Sequence, residues 1–123
     1  MNNKDFKNQL IDRAFKNSRA VLALVDKFPN KQSSRIIAGQ LLRAVTSIAA
    51  NIIEAQAASS KKDFVNFLNH ALKSGNEAKF WLALSKDLDQ NLLKEIESQE
   101  KEVGELVKIL GSSIATIKGK NKL

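Results

Sequence analysis

Apolar residues recur along almost the whole chain at spacings of three and four, the pattern of amphipathic helices. No strand-type alternation of any length occurs. The stretch from Arg35 to Ser60, RIIAGQLLRAVTSIAANIIEAQAASS, is the strongest case. Ile37, Leu41, Ala44, Ile48, Ile52 and Ala55 form one stripe. Leu42, Val45, Ala49 and Ile53 form a second beside it, and Arg35, Arg43 and Glu54 are the only charges. A surface helix keeps a polar face, whereas one that is apolar nearly all round is buried. The remaining helices of a short chain cover only part of such a helix. The pattern therefore predicts self-association, with Leu42, Val45, Ala49 and Ile53 as the seam between copies.

Three further helices flank this one. The first is expected from Asn3 to Phe28, with Phe6, Leu10, Ala14, Val21, Leu24, Val25 and Phe28 inward and Pro29 as its stop. Ser33 or Ser34 is the expected N-cap of the second, which ends near Ala58. Ser60 and Asp63 have capping-box spacing and open the third, which runs to about Leu88. Its stripe is Phe64, Leu68, Ala71, Gly75, Ala78 and Leu82, widened by Phe67, Trp81, Leu84 and Leu88. The fourth spans about Leu92 to Lys118, with Ile96, Val103, Val107, Leu110 and Ile114 inside and a row of glutamates outside. Residues 119–123 read as a disordered basic tail. Short connectors between long helices of matched length imply antiparallel neighbours. The fold class is all-α: a single up-down-up-down four-helix bundle over residues 1–118, assembled as a homo-oligomer.

Composition narrows the chemistry. A chain of 123 residues fits one domain, and the absence of cysteine excludes disulfides, zinc thiolates and a cysteine nucleophile. The polar N-terminus has no signal-peptide character. Arg43 and Glu54 interrupt the best candidate for a membrane span, so a soluble cytoplasmic protein with no membrane contact is expected. The formal charge of +7 is unevenly spread. Residues 1–86 hold 14 Lys/Arg against 6 Asp/Glu, and residues 87–117 hold 3 against 7. One basic region beside an acidic stripe suits a polyanion on one side.

No catalytic set emerges. His70 is the sole histidine, and no Glu-x-x-His pair exists for a di-metal carboxylate bundle. There is no glycine-rich phosphate loop and no tyrosine. No enzyme activity, metal or cofactor is therefore expected. Phe64, Phe67 and Trp81 have core spacing. Asn51 and Glu54 lie within the most apolar helix and are expected to form a buried polar network that fixes register. The functional lead is basic: Arg13, Lys16 and Arg19 along the first helix, Lys61 and Lys62 at the start of the third, and Lys118, Lys120 and Lys122 at the end. These are the expected nucleic-acid-binding residues, acting through phosphates.

The run QLLRAVTSIAANIIEA (Gln40–Ala55), followed by Ser60, Asp63-Phe64, Ala71-Leu72-Lys73, Glu77 and Trp81-Leu82, resembles the four-helix bundle proteins encoded in intervening sequences of bacterial 23S ribosomal RNA genes. The ending GELVKILGSSIATIKGK (Gly104–Lys120) is similar to their fourth helix. The resemblance implies a pentameric ring without enzymatic activity. Phe80-Trp81-Leu82 and Ile109-Leu110-Gly111-Ser112 also look like a related branch, the accessory variability determinant of diversity-generating retroelements. That branch implies a basic pentamer partnering a reverse transcriptase and its RNA. A ring of five copies carries about +35, five times the formal charge. The leading function is a basic scaffold binding RNA or DNA with little sequence preference; the alternatives are a protein adaptor docking an enzyme such as a reverse transcriptase and, last, a small-ligand sensor using Asn51 and Glu54.

Overall fold

The computed structural model describes residues 3–120, which form four long helices and one 3₁₀ turn, with no strand among them. The helices are α1 (Asn3–Val25), α2 (Gln32–Ala55), α3 (Lys61–Ser85) and α4 (Leu93–Lys120); the 3₁₀ turn, Gln90–Leu92, leads into α4. Each helix packs on its neighbours in the chain, and α1 also meets α4, so the four close around one core. The α2–α3 contact is the most extensive and the α1–α4 contact the least.

The helix ends follow local chemistry. Ahead of Pro29, α1 tightens into three-residue bonds, Lys27 N–H to Leu24 O and Phe28 N–H to Val25 O. It thus stops at Val25, three residues before the expected Phe28. The second helix starts earlier than expected. Lys31 holds its cap position without a side-chain bond, so neither Ser33 nor Ser34 is the N-cap. Ser34 instead turns inward, 1% exposed, and its hydroxyl has no partner. The α3 cap is as the sequence implies: Ser60 Oγ accepts the Asp63 N–H at 3.0 Å. The return bond goes one residue further out, from Ser59 N–H to the Asp63 carboxylate at 3.1 Å. Asp89 caps the 3₁₀ turn by accepting the Asn91 N–H at 2.9 Å. Gly119 and Lys120 belong to α4 rather than to a tail; residues 121–123 lie outside the described residues.

The core is built round α2. Leu41, Val45, Ile48 and Ile52 are fully enclosed, facing Val21 and Leu24 of α1, Ala71, Ala78 and Leu82 of α3, and Ile96, Val103, Leu106 and Leu110 of α4. The second α2 stripe divides. Val45 and Ala49 lie in the core of the chain itself and are not available to a seam. Leu42 is half-buried and Ile53 is 49% exposed. The arc of α2 shut in by its neighbours is simply wider than one stripe. On α1 the pattern also yields twice: Phe6 is 45% exposed, and buried Asn17 takes an inward position. Asn17 Nδ2 donates to Gln99 Oε1 at 2.7 Å, tying α1 to α4, while its Oδ1 is buried without a partner. By length and composition alone α2 could cross a membrane: its most apolar 18-residue window has a mean hydropathy of 1.6 despite Arg43. Of that window 39% is buried within the bundle, and Ile36 and Ile53 stay about half exposed.

Gly75 marks the tightest approach. A Cβ built there would lie 2.6 Å from Val107 Cγ2, a stiff β-branched side chain. Gly75→Ala gains up to about 1 kcal/mol of helix propensity but overpacks the α3–α4 contact, a cost of about 1–3 kcal/mol. A net loss of about 1 kcal/mol is expected in thermal or urea unfolding. Val107→Ala in the same chain removes the clash and should cost less than the two single effects added.

Candidate nucleic-acid interface

The basic residues singled out in the sequence fall into two groups. In the α1 group Arg13 and Lys16 are paired with carboxylates, and Arg19 is not. Arg13 forms a two-pronged pair with Glu102 of α4, Nη2 to Oε1 at 2.6 Å and Nε to Oε2 at 3.1 Å. That hydrogen bond raises the guanidinium pKa against the opposing effect of burial. Lys16 pairs with Asp12 one turn away at 3.0 Å. Arg19 lies over the Phe15 ring, 6.0 Å from its centroid, a cation–π contact. The acidic side of α4 is therefore a clamp rather than a free face. Glu95 takes Lys27 at 2.9 Å, and Glu100 takes Lys86 at 2.6 Å. The Glu100 hydrogen bond raises the Lys86 pKa. Its contribution is thus complete below the ordinary lysine value and is lost as pH climbs past the raised one.

The second group gathers at one end of the bundle. Lys7 of α1 and Lys108 of α4 line the same cleft as Phe64 of α3 and Gln56, just beyond α2. Lys62 opens α3 two residues before Phe64, and Lys118 follows Ile117 of the same cleft. All four lysines are exposed, and among the described residues none forms an ion pair. Lys61 is exposed beside Lys62. Lys120 closes α4, and Lys122 lies outside the described residues. The basic end thus joins the predicted Lys61, Lys62 and Lys118 to Lys7 and Lys108. Sequence spacing missed the last two because they come from opposite ends of the chain.

Asn51 and Glu54 do not form a buried network. Glu54 is exposed, since it sits on the side of α2 that no neighbour covers. Asn51 is half-buried and bonds within its own helix, donating to Ser47 O at 2.8 Å and Ser47 Oγ at 3.0 Å. Ser74 Oγ donates to Ser47 Oγ at 2.8 Å and carries that chain across to α3. Ser47, Asn51 and Ser74 line a shallow cleft, and His70 is exposed on its rim. Trp81 is only half-buried; its Nε1–H donates to Glu77 Oε1 at 3.2 Å, and its ring stands edge-on to Phe80 at 4.9 Å.

A further apolar groove, of ≈ 550 Å³, runs between α1 and α2. Phe15 and Leu22, 52% and 53% exposed, line it with Leu42 and Gly39. Phe15 and Leu22 are seven residues apart, two helical turns, a signal the sequence pattern contained outside the core stripe.

Residues 7–112 match the model of the 23S rRNA-intervening sequence protein family. Among solved structures, the chain is similar to a crystal structure of a protein of unknown function from the S23 ribosomal protein family of Bacteroides thetaiotaomicron. The two are 35% identical with a TM-score of 0.78, over 85% of this chain and 97% of that one. No curated protein matches the chain.

Two substitutions check these placements by their effect on unfolding. Glu54→Ala and Glu54→Gln should both stay within about 0.5 kcal/mol of the wild type, as exposed positions do. Arg13→Ala should cost about 0.5–1 kcal/mol, because the Glu102 pair joins two helices but is partly solvated.

Proposed function

Because the chain belongs to the 23S rRNA-intervening sequence protein family, we propose that it is a non-enzymatic basic scaffold. It assembles with copies of itself and holds RNA or DNA through phosphates with little sequence preference. The observation that carries this reading is the set of uncompensated lysines, Lys7, Lys62, Lys108 and Lys118, at one end of the bundle. Phosphate contacts release counterions and dominate affinity, so a modest patch repeated in an assembly becomes a strong polyanion site. Arg13 and Lys16 contribute less, because each is already paired with a carboxylate, whereas Arg19 over the Phe15 ring keeps its charge.

The architecture proposed is antiparallel and up-down-up-down. The pairs Arg13–Glu102, Asn17–Gln99 and Lys27–Glu95 support it, because position rises along α1 as it falls along α4. Self-association is supported by the α1–α2 groove, where Phe15, Leu22 and Leu42 leave apolar surface in water. The seam is then Leu42 and Ile53 with Phe15 and Leu22, and five subunits is the proposed number. The cytoplasm is the proposed site of action. A protein-adaptor reading has its own observation: Phe80, 57% exposed, and Leu84 form a separate apolar patch on α3, suited to a partner such as a reverse transcriptase.

Fluorescence anisotropy with labelled RNA and DNA tests the scaffold reading. Two or more phosphate contacts per site give a fall in affinity of about tenfold between roughly 50 and 200 mM salt, with weak dependence on sequence. Lys62→Glu with Lys118→Glu should weaken binding by a similar factor for every sequence, and Arg13→Ala by much less. Absence of binding at low salt would move the adaptor to first place. Light scattering should give a mass several times 13.6 kDa, reduced by Leu22→Glu before the bundle unfolds.

A further inference from the structure

The cleft at the basic end has a volume of ≈ 650 Å³, within the roughly 300–1,000 Å³ of small-ligand clefts. Its walls combine three kinds of chemistry. Phe6 of α1 and Phe64 of α3 bring aromatic rings from two helices, the first 45% exposed and the second half-buried. Ser112, Ser113 and Thr116 of α4 bring three hydroxyls, none with a side-chain hydrogen bond among the described residues. Gln56 Nε2 donates to Ile52 O at 2.8 Å, which fixes the amide and leaves its exposed Oε1 without a partner among the described residues. Lys7 and Lys108 line the same cleft.

We infer that this cleft receives an unstacked base of single-stranded nucleic acid, with the flanking phosphates on Lys7 and Lys108. The inference rests on the phosphate-binding reading above and specifies its site. Aromatic faces beside a positive track are what single strands use, because every base has a face to stack and every link a charge. The hydroxyls and the Gln56 carbonyl offer donors and acceptors to base edges. A purely hydrocarbon occupant would leave those groups unpaired, which is unfavourable. A duplex keeps its bases stacked and can use only the lysines. Single strands should therefore bind more tightly than duplexes of the same length. This also accounts for Phe6, a ring that helical spacing directs inward but that α1 leaves half in solvent.

The test is anisotropy with a labelled single strand and its duplex, on the full chain and two variants. Phe6→Ala removes one face of the cleft; Ser113→Leu fills it from α4 and keeps both rings. Each should lower single-strand affinity about tenfold, toward the low end of what one base–aromatic stack is worth, and leave duplex affinity within about twofold. Photocrosslinking of a 5-iodouridine strand should map to the peptide holding Phe6 or Phe64. If both polymers bind equally and neither variant changes the ratio, the cleft is not a base site, although phosphate binding stands. If neither polymer binds at low salt, the underlying scaffold reading fails first. A change in light-scattering mass in Phe6→Ala, with strand preference unaltered, would make the cleft a seam between copies and overturn the inference.

Discussion

The structure depends on enclosing α2. That helix carries apolar side chains round more of its surface than α1 and α3 can cover, and every other feature adjusts to this excess. Its inner arc, Leu41, Val45, Ile48 and Ile52, is completely shut in. Burial of such side chains is worth roughly 1.5–3 kcal/mol each and fixes the rotation of the helix. With that rotation set, Ile36 and Ile53 remain about half exposed on its outer surface. The close α3–α4 approach at Gly75, where no side chain fits against Val107, draws the opposite wall inward. Surface left over on the α1–α2 side is what the proposed assembly would cover.

Charge is organised by the same packing. The α1–α4 contact is the least extensive between helices, and polar pairs cross it: Arg13–Glu102, Asn17–Gln99 and Lys27–Glu95. Carboxylates committed there cannot repel a polyanion elsewhere, and the cations they hold are not free to attract one. Among the described residues Lys7 and Lys108 form no ion pair and line one cleft, while Arg43, Lys73, Lys79, Lys94 and Lys101 are likewise without an ion pair and lie elsewhere on the surface. The cleft is set apart by two lysines from distant parts of the chain standing beside aromatic rings, not by the lack of carboxylate partners alone.

Much of this was legible in the residues. The four helices, the Ser60–Asp63 cap, the α3 stripe through Gly75 and the resemblance carried by Gln40–Ala55 all rest on short-range spacing, and spacing is what a sequence states directly. The errors have one source. Periodicity tells which residues share a face but not how much of the circumference is covered. Val45 and Ala49 therefore went to the seam when they belong inside, and Glu54 went inside when it belongs in water. Asn17 is buried because Gln99 of α4 supplies a partner 82 residues away, and Arg13 is neutralised from 89 residues away. Neither partner can be read from local pattern. The basic cleft combines Lys7 with Lys108 for the same reason: only the closed bundle brings the two together.

The central claim is that a modest basic patch works by being repeated in an assembly. Sedimentation velocity of a labelled RNA with the protein at low salt tests it most directly. The account predicts that the RNA sediments with a particle holding several 13.6-kDa chains. It also predicts that a folded variant dissociated at the α1–α2 groove, with every lysine retained, carries little RNA at the same chain concentration. RNA sedimenting with a single chain, and bound as tightly by the dissociated variant as by the wild type, would contradict it.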